Sequence, residues 1–524
     1  MLKPLPVGIQ TFRDIIEGGF LYVDKTPWIY DMIRYPKGMY FVSRPRRFGK
    51  SLLLSTLKEI FEGNRDLFRG LWLYDSDYNW QPHPVIRLDF SLHQADTAAE
   101  LKQSIARNLI RIARQYEIEL EGGEYYGLFE DLIFQLATRN KVVVLIDEYD
   151  KPIIDHIEDT AKARRMRDVL RGFYTIIKGM DEYLRFVLLT GVSKFSKVGV
   201  FSGLNNLKDI TLDDRFSALL GMTQQEVEEN FGGYIDRLAE KKGIDRQEVL
   251  SRIAHWYDGF CFSKQCLSVY NPFSILLVFD AQDFRNFWFE TGTPTFLIRL
   301  IKKKRYDIRR LDHLEIDELA FSSYNVDNLR ILPLLFQTGY LTIKGYTPET
   351  RLYRLGYPNY EVENAFLHYL LADFSPVDNG ETASYLWQLI GALRQQDFET
   401  FFEVLQTFFA GIPYDIQIRR ERYYQTVFYL IFKLLGLRVG AEVRTRRGRI
   451  DAVIELEEGV FLFEFKLDGD AEAALAQIKE RGYAEPYRQP NRDVYLIGVG
   501  FDLSDGRIAA WQVDRFNVFW EDKN

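Results

Sequence analysis

Cysteine is nearly absent: the 524-residue chain has two, Cys261 and Cys266. A secreted disulfide framework is excluded at this size, and a C-x4-C spacing with no second pair nearby does not make a zinc site. Two reduced, partly buried thiols are expected, which suits a reducing, cytoplasmic compartment. Histidine is scarce as well; the six are scattered, and no two stand at the helical spacing of metal ligands. No apolar run approaches the ~18 residues that a membrane span needs. The opening segment Met-Leu-Lys-Pro-Leu-Pro-Val-Gly8 has no apolar signal core. Positive charge is not in excess either. The net charge is −8, so nothing draws the whole chain toward nucleic acid or anionic lipid, and such a partner requires a local basic patch. Internal repeats and low-complexity tracts are missing.

What is present is ordinary for a soluble globular protein: 47% hydrophobic and 27% charged residues. The length implies roughly three to four domains. Thr26-Pro27 is a helix-start signal, with Thr at the N-cap and Pro at the first helical position. Five short β-branched or aromatic runs follow, at 39–43, 85–89, 142–146, 186–190 and 209–212. Several are apolar throughout, as strands buried on both faces of a parallel sheet are. Helical patterns separate them, so the architecture reads as α/β layers. From about 221 to 276 the pattern is helical, and 280–400 is mixed. A second strand-rich unit follows from about 415, read as helix 421–435, three strands to Lys466, helix 470–483 and strand 493–500.

The run 39–43 leads into Arg44-Pro-Arg-Arg-Phe-Gly-Lys-Ser51, and Leu52, Leu53, Leu54, Leu57, Ile60 and Phe61 continue at helical spacing. A strand, a tight turn and a helix N-terminus aim backbone N–H groups at one point, where the helix dipole adds positive potential. The stretch Arg46, Arg47, Phe48, Gly49, Lys50 and Ser51 is therefore a candidate phosphate cradle. Lys50 would neutralise the β- and γ-phosphates of ATP, and Ser51 would place a hydroxyl on Mg²⁺. Arg44 stands where the usual G-x-x-x-x-G-K-[S/T] pattern has its first glycine. Three arginines in the loop are expected to add charge near the phosphates.

The second half of such a site is Val142-Val-Val-Leu-Ile-Asp-Glu-Tyr-Asp150. Apolar residues end in adjacent acids at a strand C-terminus, the end where ligands bind on open parallel sheets. Asp147 would hold Mg²⁺, directly or through water, and Glu148 would orient and deprotonate the attacking water. A third strand ends near Thr190 and Gly-Val-Ser193; either hydroxyl is a candidate to sense the γ-phosphate or position water.

Taken together, these segments resemble the AAA-ATPase-like proteins that carry a C-terminal nuclease-like domain. The resemblance also rests on Tyr22-Val-Asp-Lys-Thr26, Leu189-Thr-Gly-Val-Ser193, Trp256-Tyr-Asp-Gly259 and Tyr270-Asn-Pro-Phe-Ser274. It implies an ASCE-type P-loop sheet with a helical lid, and an arginine at position 44 as a normal feature. The expected division is 1–215 for the ATPase core, 216–280 for the lid, 281–400 for a mixed, helical connecting domain and 401–524 for the nuclease-like domain.

In that last part, Gly448-Arg-Ile-Asp451, Phe463-Glu-Phe-Lys466 and Ala474-Leu-Ala-Gln-Ile478 are similar to the PD-(D/E)XK nuclease superfamily, which implies a restriction-endonuclease-like α/β fold. The residues make the same case alone. Glu464 and Lys466 are two apart on a strand and share a face. A two-residue turn at 457–458 sets Asp451 opposite Glu464; a turn at 458–459 sets it opposite Lys466. Either register gathers the three on one face. Asp451 and Glu464 would bind Mg²⁺, whose bound water becomes a nucleophile. Lys466 would position that water, Gln477 would orient nucleophile or phosphate, and Glu421 is a further acid. Arg419, Arg420, Arg422, Arg444, Arg446, Arg447 and Arg449 form a local basic patch for phosphates.

Arg164, Arg165, Arg167 and Arg171 form a basic helix face, read as solvated, with an arginine finger toward a neighbouring copy as the alternative. Trp256, Tyr257 and Phe260 are expected in the core. The sequence thus points to a cytoplasmic ATP- and Mg²⁺-binding protein with nucleic acid, DNA first, as its partner, no membrane, and room for a homo-oligomer. The alternative is a nucleotide-dependent switch whose nuclease-like domain only binds.

Overall fold

The structure, a computed structural model, describes residues 2–195, 206–288, 295–304, 306–321, 329–374, 379–409, 421–434, 438–445, 448–456, 458–467, 470–487, 493–502 and 507–516. The chain forms two compact units: Met1–Leu300 with Asp312–Glu363, and Ile301–Leu311 with Asn364–Asn524. Among the described residues no helix is long and apolar enough to cross a membrane.

The first unit is built on a parallel sheet of five strands: β1 (Gly38–Ser43), β2 (Val85–Asp89), β3 (Val142–Asp147), β4 (Leu184–Gly191) and β5 (Lys208–Asp209). Their order is β2-β3-β4-β1-β5. Every residue of β1 and β3 is buried, which explains their unbroken apolar sequence. β4 lies between β1 and β3, as an ASCE-type sheet requires. Helix Lys50–Phe61 packs Leu53, Leu54, Leu57, Ile60 and Phe61 against Val42, Val143, Leu145 and Leu188. The strand C-termini Ser43, Asp89, Asp147 and Gly191 therefore lie along one sheet edge.

Two expectations shift locally. Thr26 is the first helical residue rather than the cap: its N–H donates to Asp24 Oδ1 at 2.8 Å, and its hydroxyl accepts from Leu73 N–H at 3.0 Å. The fifth strand is shorter than the run 209–212, because Asp209 turns the chain by accepting from Thr211 N–H at 2.9 Å; the Thr211 hydroxyl then accepts from Ser43 N–H.

Helices Gln224–Lys242, Arg246–Tyr257 and Pro272–Ala281 share a core with Phe231, Ile235, Ile253 and Tyr257. The segment expected to be helical throughout also contains a hairpin, β6 (Phe260–Cys261) and β7 (Ser268–Val269). Tyr257 and Phe260 are core, while Trp256 is only partly buried. A three-stranded antiparallel sheet, β8 (Leu314–Ile316), β9 (Thr342–Thr347) and β10 (Leu352–Gly356) in the order β8-β10-β9, completes this unit.

The second unit carries β11 (Arg438–Thr445), β12 (Gly448–Leu456), β13 (Gly459–Leu467), β14 (Asp493–Phe501) and β15 (Ile508–Arg515), paired in chain order. Only β13 and β14 pair in parallel, and helix Ala471–Glu480 makes the crossover that a parallel pair needs. β15 is absent from the sequence reading. It is an edge strand with mostly exposed residues, so it lacks the apolar run that marks the buried strands. The whole is an α/β chain: a P-loop-type parallel sheet with helices, and a mixed C-terminal sheet.

Candidate functional site

At the end of β1 the chain keeps its pairing with β4 for one more bond, Arg44 N–H to Gly191 O at 3.1 Å. It then turns through Arg47, φ +66°, and Gly49, φ +86°. Gly49 is left-handed at the helix N-cap, a conformation that disfavours a Cβ. Lys50 Nζ donates to the carbonyls of Arg44 and Pro45, both at 2.9 Å. The lysine thus straps its own loop. Burial lowers its pKa, while Asp147, Glu148 and Asp150 pull the other way. A cavity of about 630 Å³ opens over the loop, and Arg46, Arg47, Lys50, Ser51, Glu148 and Phe273 are among its lining residues.

The acids stand on the neighbouring edge. Asp147 is fully buried. Its Oδ1 accepts from the Thr190 hydroxyl at 2.7 Å and from Glu148 N–H at 3.1 Å. Among the described residues its buried Oδ2 has no hydrogen-bond partner, which leaves one oxygen able to face a cation or its water. Glu148 adopts a left-handed backbone, φ +46°. Such a residue carries strain of about 1–3 kcal/mol, a cost that tends to be held at functional sites. Burial raises the Glu148 pKa above its ordinary 4.5, and Lys50 opposes the rise.

Thr190 and Ser193 were candidates to sense the γ-phosphate. The structure places both hydroxyls on acids: Thr190 on Asp147, and Ser193 on Asp150, whose carboxylate also accepts from Ser193 N–H at 2.7 Å. Asp150 was not singled out, although it is the third acid of the run after β3. It ties that run to the end of β4.

The three loop arginines do not act alike. Arg44 is 1% exposed and directs its guanidinium away from the cavity. Nη1 donates to the carbonyls of Thr211 at 2.7 Å and Ser43 at 2.9 Å, and the group lies 4.1 Å from the Phe262 ring. Its buried Nε and Nη2 have no hydrogen-bond partners among the described residues, and burial brings its pKa down to about 9. Arg47 lies 3.6 Å over Phe273, and Arg46 borders the cavity. The Tyr270-Asn-Pro-Phe-Ser274 motif accounts for this contact. Asn271 caps its helix through Phe273 N–H and Ser274 N–H and donates to Arg46 O at 3.5 Å. Arg44 therefore fastens the loop to β5 and the hairpin. Arg44→Gly, which restores the common glycine, is expected to destabilise the protein by about 3 kcal/mol, because it orphans two buried carbonyls and opens a cavity. Arg44→Met should recover part of the loss by filling the volume. Urea denaturation followed by near-UV circular dichroism measures both; an unchanged midpoint for Arg44→Gly contradicts the assignment.

In the second unit the β12–β13 register pairs Ala452 with Phe463 and Leu456 with Gly459. Continued by one pair, that register puts Asp451 opposite Glu464; residue 457 of the expected turn lies outside the described residues. Asp451 Oδ2 accepts from Phe465 N–H at 2.9 Å. Glu464 is 3% exposed. Gln477 joins the strand residues: its Nε2 donates to Glu464 Oε1, and its Oε1 accepts from Lys466 Nζ at 2.7 Å. Lys466 Nζ is 4.0 Å from Glu464. The structure thus brings Asp451, Glu464, Lys466 and Gln477 to one place.

Tyr483 joins them and was missed by the sequence reading. Helix Ala471–Glu480 closes with Gly482 N–H to Lys479 O and Tyr483 N–H to Ile478 O, with Gly482 at φ +60°. This is the Schellman arrangement, in which glycine takes the left-handed position. It folds Tyr483 back to Gln477; burial and Glu464 raise the phenol pKa, while a hydrogen bond with Gln477 lowers it. The signal available in the sequence was Gly482 directly after a helix.

Among the described residues no three His, Cys, Asp or Glu side chains group into a metal site by themselves. A Mg²⁺ ion at either place would complete its shell with water and phosphate oxygens, as this ion usually does. Arg164, Arg165 and Arg171 are exposed on helix Thr160–Gly179. Glu421, Arg422, Arg444 and Arg449 have side chains outside the described set, and Arg419, Arg420, Arg446 and Arg447 lie outside the described residues. Cys261 and Cys266 are both free thiols.

Residues 6–201 match the family model of a predicted AAA-ATPase, and residues 419–511 match that of the PD-(D/E)XK nuclease superfamily. An uncharacterized protein in the vnfD 5′ region of Azotobacter chroococcum mcd 1 is 41% identical over 98% of this chain and 99% of its own length.

Proposed function

We propose, from the premise that the chain belongs to the AAA-ATPase-like family and ends in a PD-(D/E)XK nuclease superfamily domain, that it hydrolyses ATP with Mg²⁺ and couples this to cleavage of nucleic acid, DNA first. In this reading 1–215 is the ATPase core, 216–280 its lid, 281–400 a connecting domain and 401–524 the nuclease-like domain, in a cytoplasmic protein.

The observation that carries the reading is Lys50 strapped across the loop carbonyls beside two acids at the same sheet edge. The amides of residues 46–51 would hold the phosphates, and the Lys50 charge would sit between β and γ. An apolar pocket of about 110 Å³, with Leu52, Tyr22, Met222 and Leu276 in its wall, adjoins the cavity and suits the base. Ser51 and the open oxygen of Asp147 would hold Mg²⁺, which supplies charge neutralisation for the leaving phosphate. Glu148 would take the proton of the attacking water, with Thr190 and the Ser193–Asp150 pair keeping the acids in place. In the second unit Asp451 and Glu464 would hold Mg²⁺, and Lys466 and Gln477 would align water and phosphate.

One assay tests the whole reading: ATP hydrolysis in Mg²⁺ with and without single- and double-stranded DNA, read alongside DNA cleavage. The expected result is turnover stimulated severalfold by DNA, together with cleavage products. Tight ATP binding with neither turnover nor cleavage supports a nucleotide-dependent switch instead. Failure to bind ATP sinks both.

A further inference from the structure

The only two thiols of the 524-residue chain lie together directly behind the phosphate loop. Cys261 ends β6, and Cys266 sits two residues before Ser268, the partner of Cys261 across the hairpin. Cys261 is fully buried, whereas Cys266 is partly exposed and held at φ +53°. The Cys261 thiol donates to Ser263 O at 3.3 Å and the Cys266 thiol to Ile343 O at 3.2 Å. The neighbouring Cys261 thiol favours the Cys266 thiolate, Lys344 and Arg354 add to this, and the Cys266 pKa falls to about 7; burial and Asp258 oppose the shift. The pKa of Cys261 moves up, first because of Cys266 and then because of burial. A reactive, accessible thiolate beside a buried resolving thiol is the arrangement that turns over peroxides.

The hairpin around this pair cushions the loop. Phe260 meets Phe48 edge-on at 4.8 Å, Phe262 meets it at 5.5 Å, and Phe262 also carries the Arg44 guanidinium. We propose that Cys266 and Cys261 form a peroxide-reactive dithiol whose closure to a disulfide draws the hairpin away from Phe48 and Arg44 and loosens the phosphate loop. The first part stands on the thiols alone; the second rests on the ATP-binding reading above.

The chemistry balances with hydrogen peroxide as oxidant. The Cys266 thiolate attacks one peroxide oxygen, the O–O bond breaks, and the departing hydroxide takes a proton to become water. Sulfur is oxidised to the sulfenic acid. Cys261 gives up its proton and attacks that sulfur; the S–S bond forms, the S–O bond breaks, and a second water leaves. A thiol reductant reverses the change. In a reducing cytoplasm the pair rests as thiols and responds to a pulse of oxidant.

The test uses the full chain, reduced and then exposed to hydrogen peroxide. Thiols are counted after denaturation, the 261–266 peptide is mapped by mass spectrometry, and labelled ATP reports affinity. Both thiols should disappear together into an internal disulfide, and ATP affinity should fall by about tenfold. Dithiothreitol should restore both. Cys266→Ser and Cys266→Ala should each make ATP affinity indifferent to peroxide. Unreacted thiols, or Cys266 oxidised alone to sulfinic acid, overturn the dithiol. A disulfide that leaves ATP affinity unchanged overturns its action on the loop. Reduced protein that binds no ATP refutes the nucleotide reading instead, and the thiol count still decides the dithiol.

Discussion

Lys50→Ala is expected to lower ATP turnover by at least about 10²–10³-fold, the loss typical when one preorganised charge or donor is removed from a site of developing charge. Two effects combine. The alanine takes away an ammonium that lines the cavity with Glu148, where Lys151 is instead paired with Asp155. It also frees the carbonyls of Arg44 and Pro45, both held by Nζ at 2.9 Å, so the loop loses its strap as well as its charge. Lys50→Arg should fail to rescue, because a planar fork cannot reach two carbonyls and a phosphate as a compact ammonium does. Circular dichroism of the variant controls for folding. Turnover within tenfold of the parent would remove Lys50 from the site.

Asp451→Asn should abolish DNA cleavage, by about 10³-fold or more if a metal held there makes the nucleophile, and leave ATP turnover intact. Asparagine keeps an oxygen able to accept from Phe465 N–H, the bond seen at 2.9 Å, so the strand pairing should survive. What it removes is the negative charge opposite Glu464. Asp451→Ala should lose cleavage too, with some added loss of stability from the unmet N–H. Cleavage that survives both substitutions would detach the nuclease activity from this site. Loss of ATP turnover together with cleavage would show that the two halves depend on each other.

The two motifs at the sheet edge were legible because each is contiguous. An apolar strand followed by Gly49-Lys50-Ser51, or by Asp147-Glu148, puts its groups at the strand end through covalent spacing alone. The same holds for Glu464 and Lys466 on one face of a strand. Their partners were not legible to the same degree. The choice between two registers for Asp451 stays open in the sequence, and only the pairing of β12 with β13 decides it. Asp150 on Ser193 depends on a contact between residues 43 apart in sequence, β15 is an exposed edge strand without an apolar run, and Tyr483 follows from the turn at Gly482 that brings it back to Gln477.

Arg44 shows the division most plainly. Sequence alone determined that a basic residue replaces a glycine at the mouth of a phosphate-binding turn, and that this turn has a strand before it and a helix after it. Only the tertiary structure decided that this side chain leaves the phosphates and lies between Thr211 and Phe262. Spacing governs where a backbone turns, since a strand and a helix have fixed rises and periods. It does not govern where a long side chain goes, because a seven-atom arm can reach either side of a loop, and the packing of β5 and the hairpin selects one.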